Sequence, residues 1–232
     1  MGMPQTVSRG AAGPGNFLGN LTDAERAALA GRSTRRRYRK GATVFWEGDP
    51  SDVVIVIVSG LLKLSCFTPD GREALLALAG PGELVGELSA IDGDPRSATA
   101  VAISAVEAFG LPGESFTSFV EEHPRVSVVL LRTITRRLRE ADRRQTSLGT
   151  ADVLARVSGL LLELADGFGQ PAGDEIRVPL PISQTELASW VGSSREAVVK
   201  ALRTLRSQGC IETARGEVRI LDAARLGKYA SA

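Results

Sequence analysis

The chain has 232 residues, 43% of them hydrophobic, and its 28 Lys and Arg against 27 Asp and Glu leave a formal net charge of +1. That balance belongs to a folded globular protein and excludes disorder of the whole chain; its near neutrality also excludes a uniformly basic coat, so any nucleic-acid surface has to be local. No run reaches the ~18 apolar residues of a membrane span, and the opening MGMPQTVSRGAAGPGN lacks the apolar segment of a secretory signal, so no membrane partner and a cytoplasmic location are expected.

Cys66, Cys210 and His123 are the only residues of their kinds, which closes off further classes. Two distant cysteines build neither a disulfide framework nor an iron–sulfur or cysteine metal cluster, and one histidine forms no multi-histidine metal site. His123, in EEHPR, reads as a helix-end residue rather than a haem ligand. With no GxxxxGKS/T loop and no activated Ser or Cys nucleophile, no catalytic residue is assigned and an enzyme is not expected.

Residues 1–15 read as a disordered tail, and the MGMPQT pattern for myristoylation within it is short enough to match by chance. Thr22-Asp23-Ala24-Glu25 has the form of a capping box and opens a short helix ending near Gly31. From Arg36 the period shortens: apolar runs such as VVIVIVSG alternate with turns at Gly41, Gly48-Asp49-Pro50, Gly60, Pro69-Asp70-Gly71 and Gly80-Pro81-Gly82. Such spacing implies an all-β barrel, sandwich or jelly roll to about Leu111, within a domain spanning residues 16–123.

After Pro124 the segment VSVVLLRTITRRLREADRRQTSL reads as one long helix in the span 124–150, with Leu131, Ile134, Leu138 and Ala141 at coiled-coil-like spacing. A helix that outruns its own domain suggests a two-fold dimer seam formed by those residues. DVLARVSGLLLELADGFG forms a further helix, followed by a short strand near Ile176 to Val178. Two more capping boxes follow, Ser183-Gln184-Thr185-Glu186 and Ser193-Ser194-Arg195-Glu196, with a turn at Gly192; Leu187, Val191, Val198, Leu202 and Leu205 supply the buried face. Gly209 stops the second helix, and CIET, Arg215-Gly216 and EVRIL read as a hairpin. Residues 151–232 are therefore expected to form a winged helix-turn-helix domain, and the overall class is α+β.

A second helix enters a DNA major groove when its first turn presents hydrogen-bonding side chains and its flanks present cations. Here Ser193, Ser194, Arg195, Glu196 and Lys200 qualify, with Ser183, Gln184 and Thr185 opening the helix before. Arg195 can fork onto guanine O6 and N7, Glu196 can accept from a cytosine amino group, and Lys200 can reach guanine or phosphate. Over residues 179–232 basic side chains outnumber acids eight to five, a local excess that the whole-chain average conceals.

The glycine-spaced roll, the stretch GELVGELSAIDGDPRSATA, the long helix and ISQTELASWVGSSREAVVKALRTLRSQGCIE, in this order, resemble the cyclic AMP receptor protein/FNR (Crp/Fnr) family of bacterial transcription regulators from about Asn16 to Ala224. The resemblance implies an N-terminal cyclic-nucleotide-binding β-roll (jelly roll), a dimerisation helix and a C-terminal DNA-binding winged helix-turn-helix. It further implies an allosteric cyclic-nucleotide effector, with cAMP the first expectation and cGMP the second. Arg96 and Ser97 would hold the phosphate with the backbone of Gly86 to Leu88, and Glu87 would accept from the ribose 2′-hydroxyl. Leu64 and Leu76 would pack on the base. The nearby acids Glu83, Asp92 and Asp94 should mostly face solvent or pair with Arg96 when the pocket is empty.

Ala141 and Asp142 stand where the family's cAMP responders carry hydroxyl or amide residues that read the purine across the dimer. An ionised Asp142 only accepts: it suits the adenine amino group, or guanine N1–H and N2–H together. The resemblance also implies a homodimer on a palindromic operator and, for an activator, contact with RNA polymerase; a related chain without nucleotide control is the alternative. No metal, haem or iron–sulfur cluster is expected.

Overall fold

The computed structural model describes residues 16–50 and 52–231. The expected tail, residues 1–15, and its MGMPQT pattern lie outside the described residues. A 3-10 turn (Leu18–Asn20) and helix α1 (Asp23–Gly31) lead into strands β1 (Thr34–Tyr38), β2 (Thr43–Phe45), β3 (Val53–Ser59), β4 (Leu62–Phe67), β5 (Glu73–Ala79) and β6 (Leu84–Val85). Helix α2 (Glu87–Asp92), strands β7 (Thr99–Ala102) and β8 (Val106–Pro112), α3 (Gly113–Glu122) and the 27-residue α4 (Pro124–Thr150) follow. Then come α5 (Val153–Phe168), β9 (Gln170–Ala172), β10 (Glu175–Pro179), α6 (Gln184–Trp190), α7 (Arg195–Ser207), β11 (Ile211–Ala214), β12 (Glu217–Ile220) and α8 (Ala223–Ala230). Two compact units result: the residues up to Phe67 with Leu76–Arg137, and Thr68–Leu75 with Leu138 onward.

Two four-stranded sheets with orders β1-β8-β3-β6 and β2-β7-β4-β5 make the jelly roll, all of it in the first unit except the start of β5, Glu73 to Leu75, which is grouped with the second. Strand β3 shows why a continuous apolar run is needed. Its side chains alternate between faces: Ile55 and Ile57 enter the core between the sheets with Phe45, Leu62, Val85 and Ala100, while Val54 and Val56 enter a second core with Leu29, Phe116, Phe119 and Val126. Both faces are covered, so the strand carries no polar alternation.

Helix α1 starts at the expected capping box, in which Glu25 N donates to Thr22 Oγ1 and Thr22 N donates to the Glu25 carboxylate. Helices α2 and α3 were not expected from the sequence. His123 caps the end of α3, its Nδ1 2.9 Å from Phe119 O and its ring against Phe119, in keeping with a structural role.

The second unit holds α5–α8 and a four-stranded sheet of order β11-β12-β10-β9. Ser183 caps α6 in the expected reciprocal box with Glu186. Gly192 turns the chain between α6 and α7 with φ 61°, and a Cβ there would lie 2.4 Å from Leu148 Cδ2, so only glycine fits without a shift. The cap of α7 is one residue later than expected: Ser194, not Ser193, accepts from the backbone, through Ala197 N–H at 3.2 Å. Leu187, Val191, Val198, Leu202 and Leu205 are all buried, as the apolar spacing requires. The β11–β12 hairpin closes on Gly216 and forms the wing.

Candidate ligand pocket and nucleic-acid interface

Strand β6 ends at Val85, and Gly86 turns the chain into α2 at φ 82°, a left-handed conformation that glycine adopts without strain. A Cβ at Gly86 would stand 2.5 Å from Arg96 Nη1, so this glycine also makes room for the guanidinium. Arg96 is 2% exposed. Its Nη1 donates to Gly86 O at 2.9 Å, its Nη2 donates to Val53 O at 2.6 Å and Asp52 Oδ1 at 3.1 Å, and its charge lies 4.5 Å from the centre of the Phe45 ring. Arg96 Nε is also buried but has no acceptor among the described residues. An orphaned buried donor costs on the order of 1–3 kcal/mol, and an anion against this side of the guanidinium would remove that cost.

Asp52 was not foreseen as the partner of Arg96, because it comes from the turn before β3. Asp92 and Asp94 are exposed, as expected, and Asp94 N–H donates to Asp92 Oδ1 at 3.0 Å. Glu83 behaves differently from the expectation. It accepts from Gly80 N–H at 3.0 Å and from Arg136 Nη2 at 3.3 Å, and so faces neither solvent nor Arg96.

Glu87 opens α2 and is 3% exposed. Arg137 of α4 clamps it: Nη1 donates to Glu87 Oε1 at 2.7 Å and Nη2 donates to Leu84 O at 2.7 Å. Burial pushes the Glu87 carboxyl above the usual carboxylate range, and the Arg137 guanidinium opposes that push. Two adjacent arginines of α4 thus hold two acids that stand on either side of β6, Arg136 on Glu83 and Arg137 on Glu87. The signal in the sequence was the match between Glu83/Glu87 and the RR pair, but only tertiary packing brings them together.

Leu64 is half-buried in β4, and Leu76 and Leu88 are exposed, as is Ser97 just after Arg96. These residues share the first unit with Gly86, Glu87 and Arg96. Ala141 and Asp142 lie on the later part of α4, in the second unit, and both are exposed. On the same helix Leu131 and Leu138 are 64% and 58% exposed, whereas Ile134 is half-buried and leans on the core of its own roll. Among the described residues, no group of three or more His, Cys, Asp or Glu side chains is placed to hold a metal ion.

At the start of α7, Arg195, Glu196 and Lys200 are exposed and, among the described residues, their side chains have no ion-pair or hydrogen-bond partner. The Ser194 hydroxyl is engaged in the cap and Ser193 is half-buried, which leaves the charged side chains as the free groups of this turn. Ser183, Gln184 and Thr185 are exposed at the start of α6, with the Ser183 hydroxyl occupied by its cap. Of the other cations, Arg219 is tied to Glu175 and Glu212, and Arg206 donates to Thr213 Oγ1. Arg203, on α7, and Arg215, at the tip of the wing, stand free and exposed among the described residues. Arg215 lies in the hairpin turn that the sequence pattern predicts, although it is not among the residues expected there to contact DNA.

The chain matches two protein families: the cyclic nucleotide-binding domain over residues 35–123 and the Crp-like helix-turn-helix domain over residues 155–229. A cyclic nucleotide-binding domain followed by this DNA-binding module defines a class of transcription regulator. The chain is similar to the CRP-like cAMP-activated global transcriptional regulator of Mycobacterium tuberculosis, at 39% identity over 88% of this chain and 91% of that relative. Among solved structures it is similar to FixK2 from Bradyrhizobium japonicum, with TM-score 0.76 and 25% identity over 86% of this chain and 98% of the other. It is also similar to the c-di-GMP responsive regulator CLP of Xanthomonas campestris, with TM-score 0.69 and 25% identity over 86% of this chain and 99% of the other. The chain belongs to the Crp/Fnr family of transcription regulators.

Proposed function

We propose that the chain acts as a homodimer whose binding to a palindromic operator is gated by one cyclic nucleotide, cAMP being the first candidate and cGMP the second. The observation that carries this reading is Arg96: a buried cation with an orphaned Nε, beside a left-handed glycine that opens the main chain to close approach. A cyclic phosphate supplies both the counter-charge and the missing acceptor. Ser97 adds a hydroxyl donor, and Glu87 accepts from the ribose 2′-hydroxyl while Arg137 holds it. Leu64 and Leu76 cover the base, whose edge meets Ala141 and Asp142 at the dimer seam of Leu131, Ile134 and Leu138. The name of the M. tuberculosis relative, cAMP-activated, supports cAMP, whereas that of CLP brings cyclic di-GMP into the test.

Ligand binding shifts the paired recognition helices only through its differential affinity for two arrangements of the dimer. In the binding arrangement Arg195, Glu196 and Lys200 read base edges, with Ser183, Gln184, Thr185, Ser193 and Ser194 at the surrounding backbone; an activator would then contact RNA polymerase. The protein binds the nucleotide without converting it, and DNA as the partner puts its work in the cytoplasm. Calorimetric titration of the full chain with cAMP, cGMP and cyclic di-GMP tests the reading. One of them should bind, and Arg96→Ala should abolish that heat; unchanged affinity in the variant would dismiss the phosphate assignment.

A second reading has one observation in its favour. Both terminal nitrogens of Arg96 already have acceptors within the chain, and Glu87 already has Arg137, so the cassette is largely satisfied without ligand. A regulator that has lost nucleotide control would bind its operator identically with and without every nucleotide in the panel.

A further inference from the structure

We infer that Asp142 of a second copy of this chain pairs with Arg137, so that Arg137 bridges the Glu87 carboxylate in its own pocket to the dimer seam. The inference rests on the dimeric reading above and not on the identity of the nucleotide.

The register of α4 carries it. Leu131 and Leu138 occupy one apolar heptad position, a, and Ile134, Ala141 and Leu148 occupy the other, d, along one uninterrupted helix. The flanking positions follow: Arg137 falls at g and Asp142 at e of the following heptad. In a parallel two-stranded coil, g of one helix meets e of the following heptad on its partner, and ion pairs there set partner and orientation. Within α4 the other such combinations are Leu130 with Thr135 and Arg144 with Gly149, neither of them oppositely charged. Arg137 with Asp142 is therefore the one complementary pair, and two-fold symmetry makes it twice. An antiparallel arrangement would set g against g, and Leu130, Arg137 and Arg144 at those positions include no acid to meet Arg137.

The state of the two side chains agrees with this placement. Asp142 is exposed and has no ion pair with any described residue of its own chain. Arg137 uses one N–H of each terminal nitrogen, on Glu87 Oε1 and Leu84 O, and keeps 27% of its side chain exposed, so donors remain for a further carboxylate. The exposed Leu131 and Leu138 give the second helix its apolar seat. The occupant is thus a second copy, and the site it completes is the Arg137–Glu87 pair.

Sedimentation equilibrium of the full chain tests the pair through a double-mutant cycle. Asp142→Asn and Arg137→Gln should each weaken the dimer, and the double variant should be no weaker than the worse single, giving a coupling of roughly 3- to 10-fold in the dimer dissociation constant. Additive effects in a dimeric wild type would overturn the pair while leaving the dimer intact. A wild type that stays monomeric would overturn the dimer reading itself and the pair with it. Should Arg137→Gln fail to fold, Asp142→Lys places a cation against Arg137: loss of dimerisation beyond that of Asp142→Asn, relieved by added salt, supports the pair, and a dimer as tight as wild type overturns it.

Discussion

Arg137 Nη1 donates to Glu87 Oε1 across 2.7 Å, tying α4 to the first residue of α2 at the edge of the candidate pocket. Neither partner is dispensable on its own. Removing the guanidinium leaves a buried carboxylate without its counter-charge, so Arg137→Ala should cost roughly 3 kcal/mol in urea unfolding near neutral pH, the low end for a buried pair because Arg137 keeps some exposure.

The same pair sets a pH dependence. Burial, the largest influence, raises the Glu87 carboxyl above its ordinary 4.5, with Arg137 opposing it. The folded state therefore holds this proton more tightly than the unfolded chain does. Its contribution to stability is fully present below pH 4.5 and is lost as the pH rises through the elevated folded value. Unfolding free energies of wild type and Glu87→Gln, measured across that range, should diverge, with the wild type losing ground to the variant as pH rises. Parallel curves would show that Glu87 titrates as it does in the unfolded chain.

Gly86 and Gly93 bracket α2 with left-handed φ angles of 82° and 78° and separate strain from crowding. At Gly93 a Cβ meets nothing within 4 Å, whereas at Gly86 it meets Arg96 Nη1 at 2.5 Å. Alanine at either position should lower stability by about 1–2 kcal/mol through the backbone alone. Only Gly86→Ala should also displace the guanidinium, reducing nucleotide affinity by roughly tenfold or more, the worth of a charged hydrogen bond. Thermal melts and calorimetry on the two variants read the two effects independently.

How much of this was legible in the sequence depended on whether the determinant was local. Turn glycines and the apolar run of β3 announced the roll, and the buried positions of α6 and α7 followed from their spacing. Helix α2 escaped notice because its six residues sit between two glycines and read as a loop. α3 did so because GESFTSFVEE follows a strand without a side-chain cap and mixes β-branched and aromatic residues with its acids. Within the pocket, Gly86, Glu87 and Arg96 lie in one short stretch and could be found there. Their partners could not: Asp52 and Arg137 reach the same place from a turn before β3 and from α4, at sequence separations of 44 and 50.

The start of α7 offers a test of one residue of register. Ser194 accepts from Ala197 N–H, whereas Ser193 lies outside the helix. Ser194→Ala should lower the stability of the second unit by about 1 kcal/mol, the usual worth of an N-cap, while Ser193→Ala changes it little. Equal losses in thermal melts would return the cap to the position suggested by the sequence pattern.

Arg195 and Arg215 are both exposed cations of the winged helix, yet their positions predict different kinds of loss. Arg195 is the first residue of α7, the turn that reaches base edges when a recognition helix enters the major groove. A forked contact to guanine discriminates against the wrong base by about 1–3 kcal/mol, so Arg195→Ala should lose affinity for the cognate operator and relax preference at one base position. Arg215 sits at the tip of the β11–β12 hairpin, off the recognition helix, and a cation that touches only phosphate reads no sequence. Arg215→Ala should weaken binding evenly on all sequences and reduce the slope of log affinity against log salt by about one, since one fewer counterion is released. Fluorescence anisotropy on a library of single-base operator variants, repeated at several salt concentrations, distinguishes the two. A uniform loss for Arg195→Ala would reduce that residue to a phosphate anchor and leave Glu196 and Lys200 as the groups of this turn available to read bases.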